Sequence, residues 1–328
     1  MSPVVSVCCI TYNHETYIHK TIEGFLMQKT TFPFEIIIHD DASTDKTAEI
    51  VREYEKKHPD VIFPIFQTEN QYSKGLRGIA LRFAYPKARG KYISFCEGDD
   101  YWTDPLKIQK QVDFLENNTA YGLVYTNYQT LFDDSGKIIV RNYDPKIPDG
   151  EIYHKYLTSS FIGTLTVMAR SDLIKEYVVK FQEILKTWPM GDRPLWLYIS
   201  TKSKCGFLED YTAVYRRNAN SVSSFKDIYK EIEFLQKSYE IRYYFIENVR
   251  SVPQDIKALL DDTYNRELLN LFYKAKDKSA GKRIFHILRS PRAQDYLRYL
   301  GLQNLFFRFW VDIIFSVLKR SENYEISY

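Results

Sequence analysis

The sequence predicts an α/β fold with a mixed, mainly parallel central sheet, followed by a helical C-terminal extension. Two observations predict the sheet. Short, continuous, β-branched apolar runs alternate with stretches of helical apolar spacing through roughly the first hundred residues, which is the pattern of strands buried on both faces and joined by crossover helices. Three of those runs end in polar clusters, Thr11 to His14, Asp40-Asp41 and Glu97 to Asp100, and ligands of such sheets bind beyond the carboxyl ends of the strands. A third observation predicts the extension: from about Phe225 the chain turns to long helical patterns rich in Lys, Glu and Tyr. The expected division is a domain of residues 1–220 and a helical region of residues 221–328.

The elements follow in order. Val4 to Ile10 is a first buried strand, and Ile18, Ile22, Phe25 and Leu26 recur at helical spacing after it. Phe34 to Ile38 is a second strand, and Ser43-Thr44-Asp45 supplies capping chemistry for a helix over Thr47 to Lys57. Val61 to Phe66 is a third strand, followed by a loop with Gly75 and Gly78 and a helix near Ile79 to Tyr85. Lys91 to Cys96 is a fourth, running into the acidic cluster. Thr103-Asp104-Pro105 opens a helix to about Asn117, with Pro at its first position. Leu123 to Thr126 and Lys137 to Val140 flank the turn signal Asp133-Asp134-Ser135-Gly136, which predicts a hairpin. Phe161 to Ala169 reads as a strand, residues 173–185 and 193–200 as helices, and Tyr211 to Arg216 as a late strand.

Composition narrows the function. At 328 residues with 45% hydrophobic content the chain can bury a substantial core. Forty-five basic residues nearly balance 42 acidic ones, and no nucleic-acid partner is expected. Cys8, Cys9, Cys96 and Cys205 show no C-x-x-C spacing and read as reduced, packed thiols of a cytosolic protein. Val4 to Ile10 is too short for the apolar core of a signal peptide, and no run reaches the roughly 18 uninterrupted apolar residues of a membrane span.

The acidic loop carries the chemistry. Asp99 and Asp100 are adjacent like charges with Glu97 two residues before them, so a cation, basic neighbours or full solvation must offset their repulsion. Neither G-x-G-x-x-G nor G-x-x-x-x-G-K-[ST] is present to hold phosphates. An acid-rich crevice of this kind needs a divalent cation to accept a phosphorylated ligand.

Val5-Ser6-Val7 leading to Thr11-Tyr12-Asn13, then Glu35 to Asp45 with His39-Asp40-Asp41-Ala42-Ser43, then Gly90 to Ile93 leading to Gly98-Asp99-Asp100, resemble the family 2 glycosyltransferases in order, spacing and strand-end placement. The resemblance covers residues 4 to about 220. It implies the GT-A fold and inverting transfer of a sugar from a nucleotide diphosphate sugar to an acceptor hydroxyl, with Mn2+ or Mg2+. It assigns Thr11 and Asp41 to the nucleoside, and a carboxylate accepting from an imide N–H favours uracil or thymine. Asp99 matches the acid near the ribose and Asp100 the metal ligand, although Asp99 and Asp100 could share the ion. Lys74, Arg77 and Arg82 stand where the family often places a basic contact to the nucleotide. Met190 to Trp196 resembles the segment supplying the general base, here Asp192, which also fits a helix N-cap. Arg216, Arg217 and residues 218–223 resemble a segment that closes over the diphosphate, but the His of several relatives is missing there.

Between Leu271 and Arg320 eleven Lys and Arg face only Asp277, Asp295 and Asp312. Within this stretch Leu302 to Leu318 is amphipathic, with Leu302, Leu305, Phe306, Phe309, Ile313 and Val317 on one side and Asn304, Arg308, Asp312 and Lys319 marking the other. Such a helix either docks on its own domain or lies in a membrane surface, where Arg298, Arg308, Lys319 and Arg320 would meet anionic lipid. The expected protein is a cytoplasmic enzyme peripheral to the inner membrane face, acting on a saccharide or lipid-linked saccharide acceptor. Two other readings stand beside it: a sugar nucleotidyltransferase, which should carry a Gly-rich, Arg-containing first loop, and a non-catalytic nucleotide-sugar-binding protein, which would tolerate loss of Asp192.

Overall fold

In the computed structural model of the chain, residues 2–140, 148–218, 225 and 227–324 are described, with the backbone alone at 305, 317 and 319–324. They divide into two compact units, residues 1–156 with 160–218, and residues 157–159 with 219–328.

Among the described residues the first unit contains nine strands: β1 (Val5–Thr11), β2 (Phe34–Asp40), β3 (Ile62–Phe66), β4 (Tyr92–Glu97), β5 (Tyr101–Trp102), β6 (Tyr121–Phe132), β7 (Ile138–Val140), β8 (Met168–Arg170) and β9 (Lys204–Arg217). Its helices are α1 (Ile18–Leu26), α2 (Thr47–Lys57), α3 (Lys107–Asn117), the start of α4 (Tyr153–Thr158), α5 (Ser171–Phe181) and α6 (Asp192–Lys202). The strands form one sheet in the order β3-β2-β1-β4-β8-β6-β9-β5, with β7 paired to β6. Strands β1 to β4 are mutually parallel, β8 runs antiparallel between β4 and β6, and β6 and β9 form a long parallel pair. Pro64, which cannot donate to a ladder, lies in β3 at the sheet edge.

Register explains the crevice. Thr11 lies opposite Asp40 and Ile10 opposite Glu97, so the polar ends of β1, β2 and β4 emerge at one level. Beneath them, Val7, Cys9, Ile36, Ile38, Tyr92 and Cys96 pack with Ile18, Ile22 and Phe25 of α1 and Ile108, Val112 and Leu115 of α3 in one core. All four cysteines are buried and unpaired.

Within the first unit three expectations are corrected or refined. Phe161 to Ala169 is not one strand: residues 164–166 make a short 3-10 turn and only Met168–Arg170 is extended in the sheet. The helix after Pro105 starts at Lys107, because Asp104 Oδ1 accepts from Leu106 N–H in a local turn first. Ala80–Ala84 forms a π-helical turn.

The second unit carries α7 (Ile228–Asn248), α8 (Gln254–Ala275), α9 (Lys278–Ile287), α10 (Ala293–Gln303) and α11 (Leu305–Tyr324). Leu269, Tyr273, Leu288, Leu302 and Val311 form one core there, and Ile232, Leu268 and Leu271 another. The expected continuous helix over 302–318 is interrupted at Asn304, whose Oδ1 accepts from Phe306 N–H and starts α11 afresh.

Candidate active site

The loops after β1 and β2 are knit together by short polar side chains. Asn13, at φ 53°, accepts at Oδ1 from Thr44 N–H (2.8 Å), while its own N–H donates to Ser43 Oγ (2.9 Å). Ser43 in turn donates to Asp40 Oδ1 at 2.5 Å, and His14 N–H to Thr47 Oγ1 at 2.8 Å. Thr11 is buried at this junction, its Oγ1 3.2 Å from His14 Nδ1. Burial pulls the His14 imidazole below its usual range against the attraction of nearby carboxylates.

Asp41 follows directly. Its buried carboxylate accepts from Gln71 N–H (2.9 Å) and Tyr72 N–H (3.0 Å), and its carbonyl accepts from Asn70 Nδ2. It therefore anchors the 70–76 loop and keeps further lone pairs for a ligand. Lys74, on that loop, is half-exposed and ion-paired with Glu69. Arg77 stacks on Tyr72 with 4.2 Å from guanidinium carbon to ring centroid, and Arg82 Nε donates to Arg77 O.

The acidic loop is pressed against β1. A Cβ on Gly98 would fall 2.6 Å from Thr11 Oγ1 and 2.9 Å from His14 Nδ1, so only glycine allows this approach. Thr21 Oγ1 lies within hydrogen-bond distance of the carbonyls of both Gly98 and Asp100. Arg216, at the end of β9, holds the loop from the other side. Its N–H donates to Asp100 Oδ1 (2.7 Å), its Nε to Asp99 O (2.9 Å) and its Nη1 to Asp133 Oδ1 (2.8 Å). Its guanidinium lies over Tyr17, whose hydroxyl donates to the second oxygen of Asp133. Against the cost of burial, Tyr17 and Arg216 hold the Asp133 carboxyl below its usual range. Neither Asp133 nor Tyr17 was singled out by sequence: one was hidden in a turn signal, the other at a helix start. Arg216 is fixed in this clamp, and residues 219–223 of the anticipated closing segment lie outside the described residues.

Asp192 is the first residue of α6. The N-cap is Gly191, so the capping alternative is not realised; Asp192 Oδ2 accepts from Thr164 Oγ1 (3.1 Å) and Oδ1 lies 2.7 Å from Arg193 N–H. Burial, then the charges of Asp99 and Asp192, push the Glu97 carboxyl up to about 8. The structure thus brings Glu97, Asp99 and Asp192 into one electrostatic neighbourhood, with Thr11 beside the loop, while Asp41 and Lys74 belong to the 70–76 side.

The donor set fits a divalent cation. Crowded carboxylates with two acids, Glu97 and Asp100, forced toward neutrality are the arrangement a cation relieves. Asp100 fits worse than Asp99: it is 2% exposed, spends Oδ1 on Arg216 N–H, and burial beside Asp99 and Glu97 pushes its carboxyl well above the usual range. Asp99 is less buried, with Oδ2 3.2 Å from Asn218 Nδ2. Among the described residues no three His, Cys, Asp or Glu side chains converge as a complete ion site; oxygens of a ligand would have to complete one.

Comparison with known proteins agrees with this geometry. The model of the family described as Glycosyl transferase family 2 matches residues 6–176. An uncharacterized protein of Mycobacterium tuberculosis is 31% identical over 224 residues, which is 66% of this chain and 60% of that protein, so the match spans under two thirds of that relative's length. The Escherichia coli protein UDP-Glc:alpha-D-GlcNAc-diphosphoundecaprenol beta-1,3-glucosyltransferase WfaP is 32% identical over 71% of this chain and 86% of its own. Among solved structures, Staphylococcus aureus TarS in complex with UDP-GlcNAc superposes with TM-score 0.58 at 17% identity over 90% of this chain and 79% of that one. Mannosyltransferase PcManGT of Pyrobaculum calidifontis, with GDP-Man and Mn2+, gives 0.59 at 16% over 95% and 84%. The fold is of the GT-A type.

Proposed function

Since the chain belongs to glycosyl transferase family 2, we propose that it transfers a sugar, with inversion, from a nucleoside diphosphate sugar to an acceptor hydroxyl, in the synthesis of a cell-surface polysaccharide or glycolipid. The observation that carries this reading is the family match over residues 6–176 together with the register that brings Asp40-Asp41 and Glu97 to Asp100 out beyond adjacent strand ends. Asp192 takes the proton of the acceptor hydroxyl as its oxygen attacks the anomeric carbon; the bond from that carbon to the diphosphate breaks, and its electrons leave with the diphosphate. Thr11 and the Asp41-anchored 70–76 loop bound the nucleoside, with Lys74 as a basic contact at its edge. Asp99 would hold a Mn2+ or Mg2+ ion, with Glu97 and Asp100 as the other acids of the loop, and the ion would supply positive charge to offset that of the departing diphosphate.

A UDP-sugar donor is favoured by the carboxylate of Asp41, which suits the imide N–H of uracil, and by the UDP-Glc in the name of the 32% identical relative. The same name supports a lipid-linked saccharide acceptor. The test is transfer from UDP-Glc to a synthetic GlcNAc-diphospholipid with Mn2+. Asp192→Asn should lower the rate by about 10^2 to 10^4 while calorimetric UDP affinity stays unchanged; equal rates would remove Asp192 from the base role.

A further inference from the structure

Helix α11 turns Arg308 toward its own unit and aromatic side chains outward. A helix docked on its own domain normally buries its apolar stripe and shows charge to water. Here Arg308 Nη1 donates to the carbonyl of Tyr273 (2.9 Å), and its guanidinium lies 4.3 Å from the centroid of the same ring. Asp312 Oδ1 accepts from Tyr273 Oη at 2.5 Å. Among the described side chains of α11, Val311 and Phe315 add apolar contact to the underlying core. Seven large side chains of the helix are exposed: Phe306 is 65% exposed, Phe309 61%, Trp310 51% and Phe307 48%, followed by Ile313, Ile314 and Leu318 at about two fifths. Tyr296 and Leu300 on α10 are exposed as well. An isolated surface aromatic needs no explanation, but seven large apolar side chains on one helix face do.

We propose that the outward face of α11 docks on an anionic lipid bilayer, with Trp310 in the interfacial layer. Charge selects this occupant over a second copy of the chain. The acids of the segment are engaged within the unit, Asp277 capping α9, Asp295 fully buried and Asp312 bound to Tyr273. Exposed cations remain, among them Lys276, Lys282, Arg283 and Arg292. A second copy would repeat this excess of positive charge, whereas an anionic headgroup layer complements it as the aromatic face enters the acyl boundary. The contact differs from the one the sequence suggested, because Arg298 and Arg308 face inward, over Phe315 and Tyr273. Lys319 and Arg320 fall outside the described side chains.

Tryptophan gives the test. Of the four tryptophans, Trp102, Trp188 and Trp196 are buried and Trp310 is exposed. The full chain should float with vesicles of phosphatidylcholine and phosphatidylglycerol, and brominated acyl chains should quench the Trp310 emission. Phe309→Ser with Trp310→Ser should reduce vesicle partitioning by about tenfold or more at unchanged melting temperature, since both side chains are exposed. Absence of flotation, equal recovery of the double variant, or equal recovery on phosphatidylcholine alone overturns the proposal. A dimer in sedimentation that dissociates in the double variant, without flotation, overturns it in favour of a second copy.

Discussion

Lys107 is fully buried beneath the acidic loop, its Nζ 2.7 Å from Gln111 Oε1 and 4.4 Å from the centroid of the Trp102 ring. Burial pulls its ammonium down from 10.5 to about 7. Between those values the unfolded chain holds a proton that the native protein has shed, so this group makes stability rise with pH across that window. Below about 7 both states are protonated and the desolvation penalty is constant. Urea unfolding of wild type and Lys107→Met should therefore diverge from pH 7 to 8.5, wild type gaining up to about 1.4 kcal/mol per pH unit relative to the variant; parallel curves would show that Lys107 stays charged. The neighbouring aspartates should separate by a similar logic. Asp100→Ala leaves the buried Arg216 N–H without a partner and should cost about 1–3 kcal/mol, which Asp100→Asn largely restores. Asp99→Asn should leave stability intact and abolish the Mn2+ dependence of UDP binding in calorimetry. The opposite pattern would assign the ion to Asp100.

At the scale of elements, the strand ends were readable because each joins a continuous apolar run directly to an acid or hydroxyl, and parallel register then levels them. The stretch 161–167 was not readable, because its carbonyls leave the ladder. Leu165 O accepts from Trp102 Nε1 (2.9 Å) and Thr166 O from Gln111 Nε2 (2.8 Å), two long-range bonds that no local pattern announces. Asn304 was visible as a capping type yet was read as one polar position on a continuous face. The clamp on the acidic loop was hidden for the same reason as residues 161–167: α1, the β6–β7 turn and β9 meet only in the fold. Its planar guanidinium bridges Asp99 O and Asp133 while stacking on Tyr17, a role a lysine cannot fill. Arg216→Lys should weaken Mn2+-dependent UDP binding by about tenfold through a loosened loop, with the net charge kept. Unchanged affinity in calorimetry would show that charge alone suffices there.

At the scale of the molecule, sequence composition already separated an acid-lined sheet from a basic, aromatic tail, but not which way the tail's helix faces. That depends on Tyr273, which binds both Arg308 and Asp312 and so turns the arginine in. Every hydrogen-bond partner described for Thr11, Asp41, Asp99, Asp100 and Asp192 lies between Ile10 and Asn218, inside the first unit. The site should accordingly not need the helices that follow. A fragment of residues 1–218 should bind UDP with Mn2+ at an affinity close to that of the full chain. The fragment should also stay at the bottom of a flotation gradient that lifts the full chain. Retained vesicle binding would place the lipid contact on the catalytic unit, and a soluble, folded fragment that fails to bind UDP would show that the second unit contributes to the nucleotide site.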